Sequence, residues 1–281
     1  MKTMMRKMVS LAISCMLLWA VAVPSFASNI PDDTDLTEEE IMDLIRTGEG
    51  YYLGEGAPLD EFQTTRWASG MDATHQYITS WGQVTLYNSY PAVYTWYLDQ
   101  SGAFSTIVEY SDWPDNHETI SPSGILRHHF YYVDEGESGN YHAGKYFENH
   151  YNDAVNYYKS GNPTEAFRSL GKAMHYLEDA STPVHTSSTM YGMVSPISHS
   201  SYESTVNSNL ERFNHTAATI YSSYATARLS SIVPDAATYA YSKLPSEPFT
   251  ESSILLSADG AVPRAMRNAG AIYYRFYLDV T

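Results

Sequence analysis

Residues 160–185 read SGNPTEAFRSLGKAMHYLEDASTPVH, and the spacing within them decides the fold class. Ala166, Phe167, Leu170, Ala173, Met174 and Leu177 recur at intervals of three and four. That is the period of a helix laying one face on a core. Pro163 suits the first turn of such a helix and Pro183 closes it. His175 and Asp179 are four residues apart, so a helix places both on one face. His185 follows Pro183 by two residues, on an extended exit from which its ring can turn to a second nearby site.

Similar apolar periods run through roughly 142–160, 201–229 and 251–278, and 85–110 also reads as helical. No long strand alternation appears, nor any internal repeat. The expectation is an all-α protein, a single compact multi-helix domain. The chain has 281 residues, of which 43% are hydrophobic, enough to bury a sizeable core. Its 25 tyrosines suit a packed interior with a hydroxyl handle on many rings. A formal net charge of −16 argues against a nucleic-acid partner held by a basic patch. Bound cations would change that local balance.

The first residues follow a different logic. MKTMMRK is basic, SLAISCMLLWAVAV is apolar, and PSFAS offers small residues for cleavage after Ala27. This is the pattern of a secretory signal peptide over residues 1–27. The only cysteine, Cys15, lies inside it, so the exported chain has no disulfide and no thiol ligand. Residues 28–66 are acidic, then Gly- and Pro-punctuated, with one short amphipathic stretch from Thr37 to Arg46. They read as a propeptide ending at Arg66, which leaves 67–281 as the folded domain.

Three further clusters accompany His175, Asp179 and His185. His199 and Glu203 are again four apart. YSDWPDNHETISPSGILRHHFYY holds Asp112, Asp115, His117, His128 and His129. His75 lies eight residues after Trp67. Taken singly, each has an ordinary explanation: a hydrogen-bonded histidine, a Pro-Asp turn, a glutamate at the positive end of a helix. Taken together, ten histidines and two helical imidazole–carboxylate pairs, with no cysteine after the signal, lean toward zinc, which accepts those donors.

The order W…H…PD…HF…AMHYLEDASTPVH…H-x-x-x-E, from Trp67 onward, resembles the bacterial zinc-dependent phospholipases C. That family includes the phosphatidylcholine-preferring enzymes and the catalytic domain of clostridial alpha-toxin, with S1/P1 nucleases as distant relatives. GAIYYRFYLDV near the C-terminus is similar to the family's last helix. The resemblance implies an all-helical domain holding three Zn²⁺ in one cleft. One zinc takes the α-amino nitrogen and carbonyl oxygen of Trp67 with His75. Asp179 bridges it to another, which also takes Asp115, His129 and His175. The last takes His185, His199 and Glu203. Asp115 is preferred over Asp112 for its Pro-Asp context, and His129 over His128 because Phe follows it. The remaining histidines, His117, His142, His150 and His215, are left as structural or surface residues.

The activity so implied is hydrolysis of the glycerol-side phosphodiester of a phospholipid at a membrane surface, phosphatidylcholine by default. Zinc activates the water and neutralises phosphoryl charge, and Asp115 orients or deprotonates that water. Alternatives are a nuclease or phosphomonoesterase on the same scaffold, and a non-catalytic zinc-stabilised surface protein. A backbone amide is planar with a delocalised lone pair, so Trp67 can ligate through its nitrogen only after a maturation protease cuts at Arg66. Asn116 and Leu126 stand where the phosphatidylcholine-preferring enzymes carry aromatics, and Asp72 is the candidate acidic head-group contact. The expected product is a secreted monomer without the C-terminal membrane-binding module of the alpha-toxin branch.

Overall fold

Nine α-helices account for most of the described residues. α1 spans Asp72–Ser89, α2 Pro91–Leu98, α3 Ala103–Tyr110 and α4 Trp113–His117. α5 spans Ala143–Lys159, α6 Pro163–Ala180, α7 Pro196–Asn207, α8 Leu229–Tyr241 and α9 Glu251–Val280. Prolines open α2 and α6, at the position where a missing N–H costs nothing and the fixed φ already suits a helix. The computed structural model describes residues 72–118, 120–121, 124–125, 127–136, 141–188, 196–214 and 218–281. Within these, it leaves out the side chains of 72, 73, 116, 120, 121, 124, 125, 127 and 196–200. All of the described residues belong to the compact unit 33–281. The signal-peptide and propeptide assignments, the Thr37–Arg46 stretch, Trp67 and His215 lie outside them.

The all-α expectation holds. The only strand pairing among the described residues is a two-residue bridge, β1 (Ile120–Ser121) against β2 (Gly124–Ile125). Helices α5, α6 and α9 match their apolar periods, and 85–110 resolves into the end of α1 followed by α2 and α3. The expected helix over 201–229 is corrected. α7 ends at Asn207, short 3₁₀ turns follow at Leu210–Phe213 and Ser222–Ala225, and α8 begins only at Leu229. Asparagine and serine punctuate that run, and such side chains compete for backbone groups. Asn209 donates to the Thr205 carbonyl at 2.8 Å, which occupies one of the carbonyls at the end of α7.

α6 is the centre of the fold. From Leu170 to Ala180 every residue except Lys172 is buried, so its C-terminal half is enclosed all round rather than on one stripe. Gly171 allows this: a Cβ there would sit 2.5 Å from the Ile107 carbonyl oxygen and 2.8 Å from the Tyr110 Cβ of α3. α9 closes against α1 in the same way. A Cβ on Gly270 would overlap the Thr85 hydroxyl and lie 2.8 Å from the Gly82 carbonyl oxygen.

The tyrosines pack as their abundance suggests. Tyr94, Tyr97, Tyr151, Tyr176, Tyr224 and Tyr273 are among the largest fully buried side chains. Several hydroxyls find acceptors: Tyr97 on the Tyr273 carbonyl at 2.8 Å, Tyr151 on Asp279 at 2.8 Å and Tyr224 on Asp235 at 2.8 Å. Tyr97, Tyr151 and Tyr224 thereby bury roughly 150–250 Å² each with the hydroxyl still bonded.

Candidate metal centre

The enclosed end of α6 carries His175, Glu178 and Asp179, with exposures of 0%, 1% and 1%. Polar groups so deeply buried must be paired or hold a cation, and their partners come from five other elements. α1 brings His75 and α4 brings Asp115 in its first turn. The 3₁₀ turn Arg127–His129 brings His129, the 3₁₀ turn Pro183–His185 brings His185, and α7 brings Glu203. His185 therefore sits on a turn, not on the extended exit expected from Pro183. Its backbone N–H bonds the Thr182 carbonyl at 3.0 Å and so curls the chain back over α6.

Four donor atoms meet at the middle of this cluster. His129 Nδ1 lies 2.9 Å from His175 Nε2. Asp179 Oδ2 lies 2.8 Å from the former and 3.0 Å from the latter. Asp115 Oδ1 is 3.5 Å from both. A tetrahedral zinc with nitrogen and oxygen ligands at about 2.0–2.1 Å separates its ligand atoms by roughly 3.4 Å. The spacing and the donor chemistry both fit that ion. His175 Nδ1 is 2.8 Å from the Ser111 carbonyl oxygen, to which it donates, so the ring offers Nε2 inward.

Asp179 also reaches the other two groups. Its Oδ1 is 3.0 Å from His185 Nδ1 and 3.6 Å from His75 Nε2. His185 Nε2 is in turn 2.9 Å from Glu203 Oε1, and His75 Nε2 is 3.9 Å from Asp115 Oδ2. One buried carboxylate thus faces four imidazoles. The trios His75–Asp115–His175 and His129–His175–Asp179 each hold their ligand atoms within 4.8 Å of one another.

Electrostatics carry the same message. Burial penalises the charged form of each ring, yet the surrounding carboxylates win at three of four. The Glu178 hydrogen bond, with Asp179 and Asp115, lifts His75 to about 10. Asp179 and Glu203 lift His185 to about 9, and Asp179 with Asp115 raises His129. At His175 burial prevails and the pKa falls. Burial opposes ionisation of Asp179, but His175 and His129 hold it well below the usual carboxylate range. Such a cluster demands positive charge. Protons on the rings supply it without metal, and a cation would release them, since ligation needs the unprotonated ring nitrogen.

Of the sequence-predicted site residues, His75, Asp115, His129, His175, Asp179, His185 and Glu203 are brought together. The backbone of His199 lies in α7, four residues before Glu203, and its side chain is outside the described set, as is Trp67. The paired alternatives separate clearly. Asp112 is the residue just before α4 and is absent from both trios. His128 turns Nε2 to the Glu118 carbonyl and packs 4.6 Å from the Tyr146 ring; burial lowers it to about 4. His117 is exposed and stacks on Trp113 at 4.3 Å, while His150 lies 3.1 Å from Glu118. The head-group candidate Asp72, and Asn116 and Leu126 at the positions of the relatives' aromatics, fall outside the described side chains.

Sequence reasoning missed Glu178, Thr79 and Ser111, which hold the ligand rings from behind. It also missed the apolar side of the cleft. Beside His75, Asp115, Asp179, His185 and Glu203, the cleft is lined by Ile78, Tyr202, Val206, Ala261, Val262 and Ala265. Polar donors and aliphatic side chains lining one cleft suit an amphiphilic ligand.

Comparison with known proteins agrees with this geometry. The zinc dependent phospholipase C family matches residues 74–246. Among solved structures the chain is similar to alpha toxin from Clostridium absonum, with 17% identity and a TM-score of 0.61 over 74% of this chain and 64% of that one. It is also similar to alpha-toxin from an avian strain of Clostridium perfringens, with 19% identity and a TM-score of 0.60 over 74% and 63%. The chain therefore spans somewhat under two thirds of the toxins' length, and at these identities the likeness speaks for the fold. No curated protein matches the sequence. A family match covering more than half of the chain, on a helical fold whose buried end gathers zinc-type donors, settles membership: the chain belongs to the zinc-dependent phospholipase C family, a family of zinc phosphodiesterases.

Proposed function

We propose that the protein is a secreted phospholipase C. It hydrolyses the glycerol-side phosphodiester of phospholipids, phosphatidylcholine by default, to diacylglycerol and a phosphorylated head group. The observation that carries this reading is the pairing of the His/Asp/Glu cluster with an aliphatic wall in one cleft. His129, His175, Asp115 and Asp179 hold one zinc. His75 and Asp179 contribute to a second together with the Trp67 terminus, and His185, Glu203 and His199 hold a third. Bound there, zinc supplies Lewis-acid polarisation of the phosphoryl oxygens and lowers the pKa of water.

The chain's own residues do the rest. Asp115 has a side chain 20% exposed, against 2% for Asp179. It is thus the more open carboxylate of the central group, and it orients or deprotonates the attacking water. Ile78, Val206 and Val262 receive the glycerol and acyl side of the substrate and exclude water from it, while Asp179, 1% exposed at the floor of the cluster, fixes the rings. Attack at phosphorus breaks the bond to the glycerol oxygen and leaves the phosphate on the head group.

The test is purified protein from Trp67 onward, with zinc, offered phosphatidylcholine vesicles, single-stranded nucleic acid and a generic phosphodiester. Release of diacylglycerol and phosphocholine is expected. Hydrolysis of nucleic acid alone would overturn the reading, and inactivity on all three would favour a non-catalytic zinc protein. The same reading has residues 1–27 removed on export and a protease cutting at Arg66 to free the Trp67 amine. N-terminal sequencing of active secreted protein should therefore begin at Trp67, and full activity with 28–66 still attached would refute that step.

A further inference from the structure

Unlike His175 and His129, His75 has its rear nitrogen held by a side-chain carboxylate that faces no other ring of the cluster. His175 Nδ1 donates to the backbone carbonyl of Ser111 at 2.8 Å, and His129 Nε2 lies 3.4 Å from the backbone carbonyl of Glu118. His75 Nδ1 instead lies 2.9 Å from Glu178 Oε2. The other oxygen, Oε1, accepts from the Thr79 hydroxyl at 2.6 Å. Thr79 is one helical turn after His75 on α1, so both oxygens of Glu178 are fixed by a single helix. Glu178 and Asp179 are neighbours on α6, and between them they bracket the imidazole: Glu178 takes Nδ1 and Asp179 faces Nε2 at 3.6 Å. The His175 ring packs beside it with centroids 4.2 Å apart, so the imidazole cannot turn over without breaking both ends.

We infer that Glu178 is a positioning residue for the metal ligand His75: it holds the Nδ1–H tautomer, aims Nε2 at the cation and strengthens the ring as a donor. This rests on the reading of His75 as a zinc ligand and adds the residue that orients it. A histidine that donates its far N–H to a carboxylate is fixed in tautomer and angle and made more basic toward the metal, and loss of such a partner costs about 10–100-fold in metal affinity. Backbone carbonyls cannot be deleted by substitution, whereas Glu178 can. A single change behind the ring should therefore weaken the affinity of the cation that His75 serves.

The experiment uses the mature chain beginning at Trp67 and titrates zinc against a competing chelator in parental protein, Glu178→Gln, Glu178→Leu and His75→Gln, with folding checked by far-UV circular dichroism. Glu178→Leu should weaken one zinc by about 10–100-fold and leave the others unchanged. Glu178→Gln, which keeps an acceptor without the charge, should weaken the same zinc less. A residue that only staples α6 to α1 would lower thermal stability in the leucine variant while folded protein kept parental zinc affinity, and that result would overturn the inference. His75→Gln separates the two layers. If it too binds zinc as the parent does, the reading of His75 as a ligand fails. If it loses one zinc while both Glu178 variants do not, the positioning role alone fails. A measurement on parental protein needs no variant: long-range proton–nitrogen spectra of the zinc-loaded chain should show the His75 hydrogen on Nδ1, and a hydrogen on Nε2 would overturn the inference.

Discussion

Gly270→Ala sets two effects against each other, and the structure decides between them. Gly270 is in the interior of α9, where alanine is intrinsically favoured over glycine by up to about 1 kcal/mol. Its new methyl would overlap the Thr85 hydroxyl, lie 2.8 Å from the Gly82 carbonyl oxygen and 3.0 Å from Ile220 Cγ2. Thr85 can change rotamer, but a backbone carbonyl cannot step aside, so α1 must move away from α9. Overpacking of this kind costs about 1–3 kcal/mol. The net is a destabilisation of up to about 2 kcal/mol, or a Tm lower by up to about 8 °C in a domain of this size. Gly260→Ala on the same helix is the control. There the methyl meets only the flexible Lys243 side chain, at 3.2 Å, so propensity should win and Tm should hold or rise. The displacement also reaches the site, because α1 carries His75 two turns from the crossing. Zinc affinity should therefore fall in Gly270→Ala and not in Gly260→Ala. Thermal unfolding followed by circular dichroism, with zinc titration, reads both quantities. If Gly270→Ala were as stable and bound zinc as tightly as Gly260→Ala, the claim that the α1–α9 contact sets the cluster would be wrong.

Two further outcomes follow from the cluster and its surroundings. Asp179→Asn replaces one of two inward oxygens by an NH₂ group that cannot ligate, so zinc affinity should fall by more than the roughly 10–100-fold typical of outer partners, with phosphodiesterase activity lost alongside; competition titration showing parental affinity would refute the bridging role. Burial opposes ionisation of Glu118, but its bonds to His150 and Tyr176 prevail and lower it from 4.5 to about 2. A depressed carboxyl stabilises the fold above its unfolded pKa and loses that contribution as pH falls toward the folded one. Urea midpoints should therefore drop between pH 4.5 and 2, less steeply in Glu118→Gln, and parallel curves for the two proteins would refute the assignment.

Much of this was legible in the sequence, for identifiable reasons. The apolar period of α6 survives because a helix must bury a continuous stripe, and the i, i+4 spacing of His175 and Asp179 fixes their shared face whatever the tertiary context. What the spacing could not reveal is that α6 is buried on its other faces too. Glu178 is turned about 100° from Asp179 around the helix, and only the arrival of α1 over that side makes it a partner of His75 instead of a solvated carboxylate. The same limit applies to His128 and His129, of which only His129 presents Nδ1 to Asp179, a difference that depends on the 3₁₀ turn that carries them. α8 escaped because Pro234 interrupts its pattern, although the helix continues through it, and the serine- and asparagine-rich run before it mimicked an apolar period without forming one helix. The aliphatic wall contributed by α9 is distant in sequence from every ligand, and no local pattern connects Ala261, Val262 and Ala265 to the cleft.

The account stands or falls on cation binding by the buried carboxylate–imidazole cluster. Elemental analysis of the purified mature chain beginning at Trp67, before and after dialysis against a strong chelator and with zinc then restored, is the most direct measurement. The account predicts bound zinc in the purified protein, its removal together with phosphodiesterase activity, and recovery of both on adding zinc back. A chain that carries no transition metal, and whose stability and turnover are the same with and without the chelator, would contradict it.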